Sequence, residues 1–219
     1  MKKGLLPALL LAALARPAAA SDLYVTWNCL IAGDLSTGAY TVLFGSVQLG
    51  PDRILDTDAN FLAPDAFVGN GTGRAEGMLT IVCDIFAPEP YLIDRLTVDL
   101  LGTLVPGPFA KNPRIEWTEL IFDISNDEPV LLVSDSGVDT SQPSTRVYDF
   151  APTRKIRVQQ TFDLLGVTYL DGDEVVIDQN AVAALPVVEK HVRIVPEPSH
   201  VAGLAVGVGA LLALGRRRR

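Results

Sequence analysis

Apolar and polar residues alternate at every second position through much of this chain, the period of a strand with one buried face. Leu23, Val25, Trp27, Cys29 and Ile31 alternate with Tyr24, Thr26 and Asn28, and Leu79, Ile81, Cys83 and Ile85 alternate with Met78, Thr80 and Asp84. From Arg154 to Leu165, Ile156, Val158, Phe162 and Leu164 share one face, with Lys155, Arg157, Gln159, Thr161 and Asp163 on the other. Tyr91 to Leu101 repeats the scheme, with Leu92, Leu96, Val98 and Leu100 expected inside. Between Arg114 and Ser125 the apolar phase starts on Ile115 and Trp117 and resumes on Leu120, Phe122 and Ile124, which predicts a β-bulge near Thr118 and Glu119.

Turn-forming clusters punctuate these runs at Gly50-Pro51-Asp52, Gly69 to Gly73, Pro106-Gly107-Pro108, Ser125-Asn126-Asp127, Asp135-Ser136-Gly137 and Asp171-Gly172-Asp173. Many short strands, without a regular alternation of strand and helix, predict an all-β antiparallel β-sandwich, with a jelly roll as its candidate topology. One short helix is expected over Asp178 to Leu185, with Asp178 as N-cap and Pro186 as its stop. No internal repeat is found.

The two ends break the strand period. Met1-Lys2-Lys3, the apolar run Gly4 to Ala15, and small residues at Ala18 and Ala20 before Ser21 have the order of a secretory signal peptide, residues 1–20, cleaved before Ser21. At the other end Val195-Pro196-Glu197-Pro198-Ser199 precedes an apolar run from Val201 to Gly215 and the cluster Arg216, Arg217, Arg218 and Arg219. About 15 residues in a helix reach roughly 22 Å, short of the roughly 30 Å bilayer core. Gly203, Gly207, Gly209 and Gly215 weaken that helix further. A transient single-pass transmembrane anchor is expected, with the arginines on the cytoplasmic side and everything upstream outside.

Motif, apolar run and arginine cluster together resemble the PEP-CTERM sorting signal of Gram-negative bacteria, with Pro196, Glu197 and Pro198 matching the motif residue for residue. The resemblance covers only residues 195–219. It implies an exosortase-type processing enzyme as partner, removal of the tail, and delivery to the cell envelope or extracellular polysaccharide matrix. The β-sandwich domain is expected over residues 21–194.

Setting the signals aside changes the charge. Residues 21–195 hold 11 Lys plus Arg against 25 Asp plus Glu, a net charge of −14, where the whole chain carries −8. Such a balance excludes nucleic acid as a partner, since that requires a basic footprint.

Cys29 and Cys83, both on core-facing positions, offer a disulfide in an oxidising compartment, closing a loop worth roughly 4 kcal/mol in the chain-entropy model. Two buried free thiols are the alternative. Catalytic signatures are weak. His200 lies in the tail, and His191 is placed with Glu189 and Arg193 on a solvated strand face. Gly71-Thr72-Gly73 is followed by Glu76 where a phosphate-binding loop requires glycine. Glu116 and Glu119 are a candidate carboxylate pair for glycoside hydrolysis. Calcium is a fairer proposition than that pair, at Asp56-Thr57-Asp58-Ala59-Asn60 or Asp171-Gly172-Asp173-Glu174, although both segments fall short of a full ligand loop. Tyr24, Tyr91 and Tyr169 are the candidate aromatic contacts for sugar. No catalytic residue, cofactor or metal ligand is assigned. The sequence supports an exported, non-catalytic envelope or matrix protein, with a carbohydrate-binding module as the alternative and a hydrolase behind both.

Overall fold

The computed structural model describes residues 25–35, 41–44, 48–49, 55–62, 66–69, 72–108 and 112–198. Every element among the described residues is a strand: β1 Thr26–Ala32, β2 Thr41–Phe44, β3 Gln48–Leu49, β4 Leu55–Leu62, β5 Phe67–Val68, β6 Glu76–Phe86, β7 Tyr91–Val105, β8 Arg114–Asp123, β9 Val130–Asp139, β10 Ser144–Thr153, β11 Lys155–Leu165, β12 Thr168–Asp171, β13 Glu174–Ile177 and β14 Val182–Pro196. The first sheet runs β1-β6-β11-β8-β9. The second runs β10-β7-β14-β4-β2, with β3 on β4 and β5 on β14, and β12 and β13 form a separate hairpin. All recorded pairs are antiparallel.

The inner faces of the two sheets share one apolar core, built from Leu79, Ile81, Ile85, Ile156, Val158 and Phe162 on one side and Leu96, Val98, Leu100, Val188, Val192 and Ile194 on the other. Period-two alternation puts these residues inside and their neighbours outside, the pattern of antiparallel sheets with one wet face. Cys29 and Cys83 stand directly opposite each other in the β1–β6 register and are joined by a disulfide. Gly172, at φ 62, turns the β12–β13 hairpin between Asp171 and Glu174. That left-handed conformation is one that glycine adopts without a Cβ clash.

Several expectations are corrected. No bulge interrupts β8 at Thr118 and Glu119, since its register with β11 is unbroken from Arg114 to Asp123. The phase on β8 never changes: Ile115, Trp117, Glu119 and Ile121 all face inward, and a carboxylate fills a core position. Register shifts fall elsewhere: opposite β8 at Leu132 of β9, where Ile121 pairs with Val133 and Phe122 with Leu131, and at Asp94 of β7, where Arg193 pairs with Arg95 and Ile194 with Ile93, among others. The inward residue beside Asp94 is therefore Ile93, fully buried, and Leu92 is only half-buried.

The expected helix at Asp178 is a turn leading into a strand. The Asp178 carboxylate accepts the Asn180 amide at 2.9 Å, and Ala181 bonds back to the Asp178 carbonyl at 3.2 Å. Two turns of isolated helix are marginal, whereas the same residues gain a ladder by pairing with β5 and β7. Asp135-Ser136-Gly137 lies inside β9 rather than at a turn. Gly137 is opposite Trp117, whose ring stands 2.7 Å from where a Cβ would be. Asp56 to Asn60, the calcium-loop candidate, is part of β4 and pairs with β14.

Candidate functional site

Three polar constellations stand out from the apolar plan. The first is a pocket of about 420 Å³ at one end of the outer face of the first sheet, lined by Asp34, Glu76, Gly77, Met78, Glu116, Asp163 and Leu165. Register assembles it: Asp163 of β11 lies between Met78 of β6 and Glu116 of β8. Asp34 arrives from the loop after β1, where its carboxylate accepts the Met78 amide at 2.5 Å and its carbonyl accepts Arg74 Nη1 at 3.0 Å.

Two glycines make this approach feasible. Gly33, at φ 109, lies so close to β6 that a Cβ would meet the Met78 carbonyl at 2.3 Å, and a Cβ on Gly77 would meet the Leu35 side chain at 2.6 Å. Partial burial, reinforced by the neighbouring charges of Glu116, Asp34 and Glu76, pushes the Asp163 carboxyl above the usual carboxylate range. Arg114 answers one of these charges, donating to Glu116 at 2.8 Å. The pocket thus offers a ring of hydrogen-bond acceptors beside the apolar surfaces of Met78 and Leu165.

The second constellation is on the outer face of the other sheet. Glu189 of β14 pairs directly with Asp99 of β7, and His191 follows on the same face. His191 Nε2 is 3.4 Å from Asp99 Oδ2 and 3.3 Å from Glu189 Oε1. A neighbouring pocket of about 220 Å³ is lined by Arg95, Thr97, His191 and Arg193. The two guanidiniums are engaged in forked pairs, Arg95 with Asp149 at 2.6 and 3.1 Å and Arg193 with Asp94 at 2.7 and 2.8 Å.

The third lies within the core. Lys190 of β14 is fully buried, with its Nζ 3.7 Å from Cys83 Sγ and 4.4 Å from the centre of the Phe61 ring. Burial lowers its pKa to about 7, against the raising influence of Glu119. Glu119 is itself raised by burial, opposed by Lys190, by a hydrogen bond from Gln160 and by the charge of Arg146. Toward the β9–β10 edge the network continues: Tyr148 donates to Asp135 at 3.2 Å, Arg146 to Asp139 at 2.5 Å, and the Arg146 guanidinium stacks 3.6 Å above the Trp117 ring.

The suggested carboxylate pair is not brought together. Glu116 lines the outer pocket and Glu119 is buried within the sandwich, because residues three apart on a regular strand face opposite ways. The cross-strand neighbour of Glu116 is Asp163, 47 positions further along the chain, a pairing that only register reveals. His191 does share its face with Glu189 and Arg193; Asp99 is the addition from β7. Tyr91 packs half-buried against the core, Tyr169 is half-buried on β12, neither lines the two pockets above, and Tyr24 lies outside the described residues.

Ala18, Ala20, Ser21 and Arg216 to Arg219 lie outside the described residues as well. Of the tail motif, Pro196 closes β14 opposite Tyr91. Glu197 donates its amide to the Pro90 carbonyl at 2.8 Å and accepts from Arg154 Nη2 at 3.1 Å. Pro198 is the last residue described.

No protein-family model matches the chain, and no curated protein does. Solved structures do resemble it. One is described as TmCBM61 in complex with β-1,4-galactotriose, 9% identical, covering 78% of this chain and 88% of that one at a TM-score of 0.34. Another, described under CBM4 structure and function, is 12% identical over 71% of this chain and 94% of that one, with a TM-score of 0.26. A family 11 carbohydrate-binding module from Clostridium thermocellum, in complex with a β-1,3-1,4-mixed-linked tetrasaccharide, is 9% identical over 78% and 88% at 0.24.

Proposed function

We propose that this protein is an exported, non-catalytic component of the cell envelope or extracellular matrix whose β-sandwich binds polysaccharide. The observation that carries the binding reading is the pocket of about 420 Å³ lined by Asp34, Glu76, Glu116 and Asp163 together with Met78 and Leu165. Carboxylates accept hydrogen bonds from adjacent sugar hydroxyls, and apolar side chains cover the C–H face of a pyranose ring. A neutral glycan is favoured, because the four acids would repel a uronate.

The export part of the proposal rests on the signal-peptide order at residues 1–20 and on Pro196-Glu197-Pro198 ahead of the apolar run and Arg216 to Arg219. In this reading an exosortase-type enzyme removes the tail after transient membrane anchoring. Affinity electrophoresis of the purified protein through gels holding neutral polysaccharides tests binding: retardation that is lost in Asp163→Asn and Glu116→Gln is expected, and equal mobility in every gel rejects it. Mass spectrometry of the C-terminus of protein recovered from cells tests sorting, and a mature form still ending at Arg219 rejects that part.

The raised carboxyl of Asp163 beside Glu116 favours a glycoside hydrolase as the second reading. Release of reducing ends from a retained polysaccharide would establish it in place of simple binding.

A further inference from the structure

We propose that Asp99, Glu189 and His191 form a binding site for a divalent transition-metal ion, zinc above all, on the outer face of the second sheet. The geometry comes first. Zinc bonds of about 2.0–2.1 Å in a tetrahedral arrangement hold neighbouring ligand atoms about 3.3–3.4 Å apart. His191 Nε2 stands 3.4 Å from Asp99 Oδ2 and 3.3 Å from Glu189 Oε1, and one ligand atom from each of the three residues lies within 4.8 Å of the other two. Those separations exceed the roughly 2.7–2.9 Å of a charge-assisted hydrogen bond between imidazolium and carboxylate. The nitrogen is placed as a co-ligand would be, not as a tight donor.

Charge and support agree with this placement. Two carboxylates and a neutral imidazole carry a formal charge of −2, which a divalent ion neutralises. Glu189 and Asp99 are direct cross-strand partners, so the central β7–β14 pair of a hydrogen-bonded sheet fixes their spacing, and His191 is on the same strand face. The hydroxyl of Thr145 on β10 donates to Asp99 Oδ1 at 2.5 Å, orienting the carboxylate and leaving Oδ2 toward the histidine. Such an outer partner is what a ligating carboxylate requires.

The nearby cations do not compete for the same oxygens, since Arg95 forks onto Asp149 and Arg193 onto Asp94. Imidazole selects a transition ion over calcium, whose preference is for oxygen alone. Three protein ligands leave a coordination position for water or for an oxygen of a bound molecule. The pocket of about 220 Å³ alongside His191 gives such a molecule room.

The test is titration of the chelator-treated purified protein with zinc chloride by calorimetry, with cobalt absorption as a second reading. One equivalent is expected at micromolar affinity or tighter, with weak tetrahedral cobalt bands in the visible. His191→Ala and Asp99→Asn should each weaken zinc at least tenfold, Thr145→Val severalfold, and calcium in excess should not displace it. Asp163→Asn, on the opposite sheet, should leave zinc affinity unchanged. Circular dichroism of each metal-free variant confirms that it is folded. Absence of zinc binding, affinity unchanged in folded His191→Ala, or loss only in Asp163→Asn would each overturn the assignment.

Discussion

Gln160 donates its side-chain amide to the Glu119 carboxylate at 2.7 Å across the β8–β11 pair, and each residue is 1% exposed. A polar clamp of this kind sits where apolar residues would pack as well, so it holds only while its charges are answered. Lys190, arriving from the opposite sheet, and Arg146 are the cations whose charges favour ionised Glu119, Lys190 more strongly.

Removing one member should therefore cost more than removing both. Lys190→Met removes the larger of the charges that favour a buried carboxylate and is expected to destabilise the protein by about 1–3 kcal/mol, the scale of a buried polar group that loses one partner. Glu119→Gln added to it should recover most of that loss. A urea-unfolding cycle over the two single variants and the double variant checks this, and additive losses would show that the two groups do not interact.

The pair also sets a pH dependence. With the Lys190 pKa lowered to about 7 from 10.5, the unfolded chain binds more protons than the folded one between those values. Stability then rises with pH across that window. Glu119 is raised above 4.5, so just above that value the folded form holds more protons and stability falls as pH increases. Melting temperatures between pH 7 and 10 should carry a rising contribution that Lys190→Met lacks.

Asp163 behaves as a raised acid. Above its unfolded value of 3.8 the folded state is penalised for ionising it beside Glu116, Asp34 and Glu76. Asp163→Asn should stabilise the protein at pH 7 by a few tenths of a kcal/mol, the scale of a surface substitution. The gain should vanish below about pH 4, where the wild-type carboxyl is protonated in both states. Paired thermal melts at the two pH values decide it.

The disulfide links residues 54 apart in sequence. Cys29→Ala with Cys83→Ala should lower stability by about 4 kcal/mol in the loop-entropy picture. Oxidised protein should show no titratable thiol before reduction.

Arg154 ties the entry to the tail motif through Glu197 at 3.1 Å and also contacts Glu89. Arg154→Ala should speed hydrogen exchange at the Glu197 amide and cleavage near Pro198, with under about 1 kcal/mol change in global stability, as for partly exposed ion pairs. Unchanged local exchange would mean that the Glu197–Pro90 backbone bond alone holds the segment.

Strand identity was legible wherever apolar residues kept period two, as in β1, β6 and β11, because side-chain alternation is fixed by the pleat and needs no partner. The acidity of residues 21–195 was legible because it is a property of composition alone. The pattern misled where polar residues occupy the core: Glu119 read as a phase break, although β8 never changes phase.

What tertiary structure alone decided is who faces whom. Asp163 meets Glu116 and Asp99 meets Glu189 because of strand order and register, and Lys190 reaches Cys83 because the two sheets pack face to face, which brings together residues from 47 to 107 positions apart. A strand's own sequence encodes which side each residue takes. It does not encode which strand lies alongside, and that depends on how the apolar faces of all of them pack at once.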